Sequence, residues 1–189
     1  VEKLGLIKYD ILGLSNLSIL DSSLKYIVKN IDINNLPLDD VKTYKLLQDG
    51  LSNGVFQIES AGMKNLLKRL QPTEIKHIDA VVALFRPGAM QFIEDYINNK
   101  KDLNNIKYID DRVKDILKDT YGQMVYQEQV MQLAQTLSGY SMSEADSLRR
   151  AIGKKNLEEI KSHEERFISG CIKNGLEKNI SENLYNQIV

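Results

Sequence analysis

Lys8 and Asp10 stand two residues apart in a stretch where Ile7, Tyr9 and Ile11 alternate with them. Read as a strand, this places the apolar side chains on one face and the two charges on the other. There a carboxylate can hold a divalent cation while a lysine on the same side reaches a phosphate. A solvated edge strand carries the same residue types, and spacing alone does not separate the two readings. A second cluster lies far along the chain, where Arg149, Arg150, Lys154 and Lys155 flank Gly153 with no acid between them. Guanidinium groups suit anions because their rigid donor fork matches phosphate oxygens. The structural counterpart is a set of cations complementing the negative end of a helix that stops at Gly153, worth about 0.3 to 1 kcal/mol. Four positive charges exceed what such a cap needs. Arg86, just before Pro87, is either an ion-pair partner at a helix end or a further binding residue.

Other polar residues carry less. Gln127, Glu128 and Gln129 read as first-turn residues of a helix, where acids are favoured. Glu59 and Lys64 read as surface residues near a helix start, and His77 and His163 as ordinary helix residues. Met63 and Met131 belong to core packing. Cys171 is the single cysteine and there are two histidines, so neither an internal disulfide nor a zinc-type cluster is available. No apolar run approaches a membrane span, and the charged start around Glu2 and Lys3 lacks a signal-peptide core, which predicts a cytoplasmic protein with no membrane partner. A net charge of -1 is unlike a free-standing DNA-binding domain, so any nucleic acid or nucleotide must be held by local patches.

The elements that would position these residues follow from periodicity. After the strand at Leu4 to Ile11, the residues Leu17, Leu20, Leu24, Ile27 and Val28 predict a helix capped by Ser15 or Asn16 and packed on that strand. A short helix is signalled by Asp39 and Asp40 at its start, Val41, Tyr44 and Leu47 on its face and Gly50 past its end. Gly54 to Ile58 reads as extended. Met63, Leu66, Leu67 and Leu70 form one helical stripe ended by Pro72; Ile75, Ile78, Val82 and Phe85 form another, capped by Thr73 and ended by Pro87. The polar run from Asn98 to Asn105 reads as a long loop. Helices resume near Asp110, over Val113 to Leu117, Gln127 to Leu137 and Ser141 to Ile152, the last opening with a Ser141/Glu144 capping box. Asn156 and Glu159 repeat that arrangement before a helix carrying Ile160, Phe167, Ile168 and Cys171. The fold class is therefore α+β, mainly α-helical. A chain that begins in a strand and stops in a helix is expected to be part of something longer.

The strings around these residues resemble one family. Gly5-Leu-Ile-Lys8-Tyr-Asp10-Ile-Leu-Gly13-Leu is similar to the strand bearing a catalytic aspartate in the alpha subunit of bacterial DNA polymerase III, the C-family replicative polymerase. Gly54-Val-Phe-Gln57-Ile-Glu59-Ser60 with Gly62-Met63-Lys64 resembles its passage from palm into fingers. Ala83-Leu-Phe-Arg86-Pro87-Gly88, then Tyr121-Gly122, Tyr126-Gln127-Glu128-Gln129-Val-Met131 and Leu148-Arg149-Arg150-Ala-Ile-Gly153-Lys154-Lys155, continue the series in the family's order. Tyr9 and Ala89 depart from the phenylalanine and proline common there, and neither touches a reacting group.

The resemblance implies a palm-edge strand over residues 1–14 followed by a partial, helical fingers region over 15–189. It implies a DNA-directed DNA polymerase adding deoxynucleotides to a primer 3′ end by two-metal phosphoryl transfer. Asp10 would join two aspartates elsewhere in holding Mg²⁺; Lys8, Arg149 and Arg150 would contact nucleotide phosphates, with Arg86, Lys154 and Lys155 as further nucleotide-binding residues. Implied partners are DNA primer-template, deoxynucleoside triphosphates, a sliding clamp and other replicase subunits. The chain contains no Asp-x-Asp pair, so it is expected to be inactive alone. The competing readings are a non-catalytic helical nucleic-acid-binding module using the four cations for backbone phosphates, and a nucleotidyltransferase outside replication.

Overall fold

A computed structural model describes residues 4–7, 9, 11–27 and 31–189. The described part is helical, as periodicity predicts: α1 (Ser15–Leu24), α2 (Val41–Gln48), α3 (Ala61–Leu70), α4 (Ile75–Leu84), α5 (Ile93–Lys101), α6 (Lys114–Leu117), α7 (Gln127–Ser138), α8 (Met142–Gly153), α9 (Leu157–Lys173) and α10 (Lys178–Ile188). No strand occurs among the described residues. The alternating face expected to be covered is open, with Ile7 76% and Ile11 96% exposed. A strand needs a neighbour for its backbone and a layer over its apolar face, and no described segment supplies either. Helix α1 likewise buries no residue, so the expected packing of Leu17, Leu20 and Leu24 on a preceding strand is not seen among the described residues.

The extended reading of Gly54 to Ile58 is also corrected: this segment is a run of turns. Gly54 and Gln57 both take left-handed backbone, with φ of +74° and +64°, which bends the chain instead of extending it. Ser52 donates its hydroxyl to the Ile58 carbonyl at 2.5 Å, and Glu59 accepts the Gly54 N–H at 3.0 Å. Lys64 closes the loop by donating to the Asn53 side chain. Glu59 and Lys64 thus have local structural partners.

Two apolar cores organise the rest. The first gathers Tyr44 and Leu47 of α2, the stripe Met63, Leu66, Leu67 and Leu70 of α3, and Tyr96 and Ile97 of α5. Asp40 caps α2 through the Thr43 N–H, and Ser60 caps α3 through Met63. Helix α4 is rotated from expectation: it buries His77, Ala80, Val81 and Leu84, while Ile75 is 44% exposed. Its apolar positions surround most of the helix, so periodicity leaves the centre of the buried face open, and the partners of His77 decide it. Thr73 does not cap α4; its N–H donates to His77 Nδ1 at 3.1 Å, and Glu74 takes the cap position. The polar run at 98–105 is not a long loop, because α5 continues to Lys101 and a 3₁₀ turn follows at Leu103–Asn105. Asn99 is buried there and donates to the Tyr121 carbonyl at 2.8 Å.

The second core joins Val113 of a 3₁₀ turn at Asp111–Val113 with Leu117, Leu133, Leu137, Leu148, Phe167, Cys171 and Leu184 across α6 to α10. Helices α7 and α9 cross closely because Gly170 has no side chain. A Cβ there would lie 2.2 Å from the Ser138 carbonyl oxygen and 2.6 Å from its hydroxyl. Arg166 closes the end of α7, donating to the Ser138 and Gly139 carbonyls at 3.1 Å each and lying over the Tyr140 ring. Between the cores runs the segment from Ile116 to Gln129. Buried Gln129 accepts the N–H groups of Val125 and Tyr126 and donates to Ile116 O and Thr120 Oγ1. Tyr121 reaches the other way, its hydroxyl 2.7 Å from His77 Nε2 and its ring edge-on to Tyr96.

Two outcomes follow. Gly170→Ala should lower stability by about 2–3 kcal/mol through overpacking, seen as a drop of roughly 5–10 °C in the thermal midpoint. Gly153→Ala, whose Cβ meets nothing within 4 Å, should leave the midpoint nearly unchanged. Burial holds His77 down at about 4, with Lys100 adding to the effect and Glu74 opposing it. Acceptance of the Thr73 N–H by Nδ1 requires the neutral ring as well. The unfolded chain takes up this proton near pH 6.5 and the folded one only near 4, so stability should be lost as pH falls through that interval. Melting curves of the chain and of His77→Gln across pH 4 to 7 check this, the variant losing that part of the slope.

Candidate nucleotide-binding cluster on helix α8

Helix α8 begins with the expected capping box: the Ser141 N–H donates to Glu144 Oε2 at 2.7 Å and Ser141 Oγ accepts the Glu144 N–H at 3.2 Å. Ala145, Leu148 and Ala151 form its buried stripe. That stripe turns residues 146, 149 and 150 onto a flank open to solvent. The helix ends after Gly153 with two nested hydrogen bonds, from Lys155 N to Ile152 O and from Asn156 N to Ala151 O, each 3.0 Å. This pattern satisfies orphan carbonyls and calls for left-handed backbone at the residue that is here Lys155, with φ +52°. Glycine is the usual occupant, and a lysine costs about 1 kcal/mol more. Asn156 then starts α9 by accepting the Glu159 N–H. The reciprocal bond of a full capping box is not among its contacts.

Arg149 and Arg150 are brought together on one acid. Arg149 donates from Nε at 3.0 Å and from Nη2 at 2.9 Å to the same oxygen, Asp146 Oδ1. Arg150 Nη2 lies 3.4 Å from Oδ2 of that carboxylate. The other side of the Arg149 fork meets Gln127 of α7, whose Oε1 accepts from Nη1 at 3.4 Å. Asp146 and Arg149 are each about one-third exposed and Arg150 more than half. Pairs this open contribute about 0.2–1 kcal/mol each, so the contacts orient the guanidinium groups without sealing them from an anion. Lys154 and Lys155 follow at the helix end and are exposed.

The absence of an acid between Arg149 and Lys155 in sequence therefore does not describe the charge in space, because one turn of helix carries Asp146 back to the arginines. The spacing of Asp146 to Arg149 and Arg150 was a readable i,i+3 and i,i+4 signal. Gln127 gave no such signal, since its contact joins two helices. Arg86 is exposed at the end of α4, beside Pro87 and Gly88. Among the described residues, no hydrogen bond or ion pair joins its side chain to the α8 cluster. Lys8 and Asp10 lie outside the described residues. A polar cavity of about 820 Å³, lined by Asn98, Lys101, Lys107 and Gln123 among others, contains none of the expected nucleotide-binding side chains. No group of three His, Cys, Asp or Glu residues converges among the described residues as a metal would require. No described helix is long and apolar enough to cross a membrane.

Comparison with known proteins places this chain in a family. The chain is 45% identical over its whole length to a DNA polymerase III subunit alpha of Halalkalibacterium halodurans and 43% identical to that of Staphylococcus aureus strain COL. It spans 17% and 18% of those relatives. The family model described as the bacterial DNA polymerase III alpha subunit finger domain matches residues 16–175, a span that holds α2 to α9, all but the first residue of α1, and the arginine pair. The likeness seen in the separate strings thus extends over the full sequence, and the chain belongs to the bacterial DNA polymerase III alpha subunit finger-domain family.

Proposed function

We propose that this chain works as the fingers of a DNA-directed DNA polymerase, receiving the triphosphate of an incoming deoxynucleotide while a primer 3′ end is extended in replication. The observation that carries the reading is the pairing of Arg149 and Arg150 on one flank of α8, inside the span matched by the finger-domain family. Guanidinium groups retain their charge at every physiological pH and offer several N–H donors to one phosphate face. Lys154 and Lys155 extend the positive character past the helix end. Lys155 takes left-handed backbone at the helix end, and its side chain is exposed there. Arg86 is a further phosphate ligand in this reading, reached from another helix end.

Lys8 is assigned to phosphate contact and Asp10 to metal binding in the same reading, with residues 1–14 as palm and 15–189 as fingers. These assignments rest on sequence similarity. Within this chain the resemblance assigns magnesium binding to Asp10, joined by two aspartates elsewhere in the polypeptide. Mg²⁺ would supply charge neutralisation on the phosphates and a lowered pKa for the attacking hydroxyl. The protein's own contribution here is orientation: it fixes cationic donors where negative charge on the transferred group is largest. Primer-template DNA, deoxynucleoside triphosphates, a sliding clamp and other replicase subunits are the partners of the complete polypeptide, and the cytoplasm its location.

In the complete polymerase, Arg149→Ala and Arg150→Ala should each raise the KM for deoxynucleotide by about tenfold or more, the worth of a charged hydrogen bond. Asp10→Ala should abolish incorporation while primer-template affinity is kept. Gel-resolved primer extension and a DNA-binding titration measure both. Unchanged incorporation in Asp10→Ala, or metal-dependent primer extension by the 189-residue chain alone, would overturn the assignment.

A further inference from the structure

We propose that Asp146 is a positioning residue that draws Arg149 and Arg150 into one pair for the nucleotide triphosphate. The inference rests on the reading of those arginines as phosphate ligands.

Successive residues on an α-helix point about 100° apart, so two neighbouring arginines diverge unless something gathers them. Residues three and four positions away from a common residue are both its neighbours on the helix surface. Asp146 occupies that common position. Its Oδ1 takes two donors of Arg149 and its Oδ2 faces Arg150, so one carboxylate holds both side chains toward the same flank. Of the five N–H groups of Arg149, those on Nε, Nη2 and Nη1 that meet Asp146 and Gln127 account for three, and two remain for a ligand. Arg150 is less engaged, and its guanidinium is the more exposed of the two.

This arrangement has an electrostatic drawback that makes it testable. A carboxylate beside a phosphate site repels the ligand, so an acid acting only as a competing partner would weaken nucleotide binding, and its removal would tighten it. A positioning acid gives the opposite sign. Holding long, rotamer-rich side chains in a bound-like geometry reduces the ordering cost of association, and loss of that order outweighs the relief of repulsion.

The measurement is steady-state primer extension by the complete polymerase carrying Asp146→Ala, Asp146→Asn or Arg149→Ala. Asp146→Ala is expected to raise the deoxynucleotide KM about fivefold, the upper range for a partly exposed ion pair. The kcat should stay within about twofold, as expected when binding shared by ground and transition states is removed. Affinity for primer-template should not change. Asp146→Asn keeps a carbonyl acceptor for Arg149 in a nearly isosteric side chain and should fall between the two; it also provides the test if the alanine variant folds poorly. A KM that is unchanged or lower in both Asp146 variants overturns the positioning role. If Arg149→Ala leaves KM unaltered, the phosphate-ligand reading fails and takes this inference with it. If Arg149→Ala raises KM while the Asp146 variants do not, only the positioning role is lost.

Discussion

The buried amide of Gln129 is the interaction on which the geometry of this molecule turns. Its oxygen receives the last two N–H groups before α7, and its nitrogen binds Ile116 O and the Thr120 hydroxyl, so both ends of one short connection are tied to one side chain. Each buried polar group left unpaired would cost about 1–3 kcal/mol, which makes this bend far more determinate than its loop composition suggests. Tyr121 extends the same constraint into the first core through His77 and Tyr96. Gly122 follows with φ +82°, where a Cβ would meet Ile106 at 2.9 Å.

From that bend the consequences run outward to the arginines. Fixing the first turn of α7 fixes Gln127, two residues before Gln129, and Gln127 meets Arg149 of the next helix. Gly170 lets α9 lie close on α7, and Arg166 ties the α7 end to Glu144 in the first turn of α8. The flank of α8 is therefore oriented by contacts to both neighbours. The arginines themselves are held by partners that are weak and partly exposed, which is compatible with the phosphate-binding role proposed for them.

Charge placement shows the same division. The four cations near the end of α8 lie in a chain whose net charge is -1, and they act through locality. Asp146 lowers their summed charge and pairs with two of them, Arg149 and Arg150. The left-handed Lys155 satisfies the helix end through its backbone while its side chain stays exposed.

Sequence by itself determined most of the helices and several of their ends. The stripe of Met63, Leu66, Leu67 and Leu70, the helix start at Asp40, the Ser141/Glu144 box and the stop after Gly153 are local, and periodicity and neighbouring side chains express them directly. The cationic cluster was legible for the same reason. Tertiary structure decided the rest. It turned α4 onto the His77 face, carried α5 through an asparagine-rich run and folded Gly54 to Ile58 into turns. It also made Gln129 a buried fastener and brought Gln127 to Arg149. Each of these depends on a hydrogen-bond partner distant along the chain or on left-handed backbone at a non-glycine residue, and neither leaves a period in the sequence. Among the described residues the expected strand had no neighbour to pair with. An alternating pattern specifies a face, and only a second strand turns that face into a sheet.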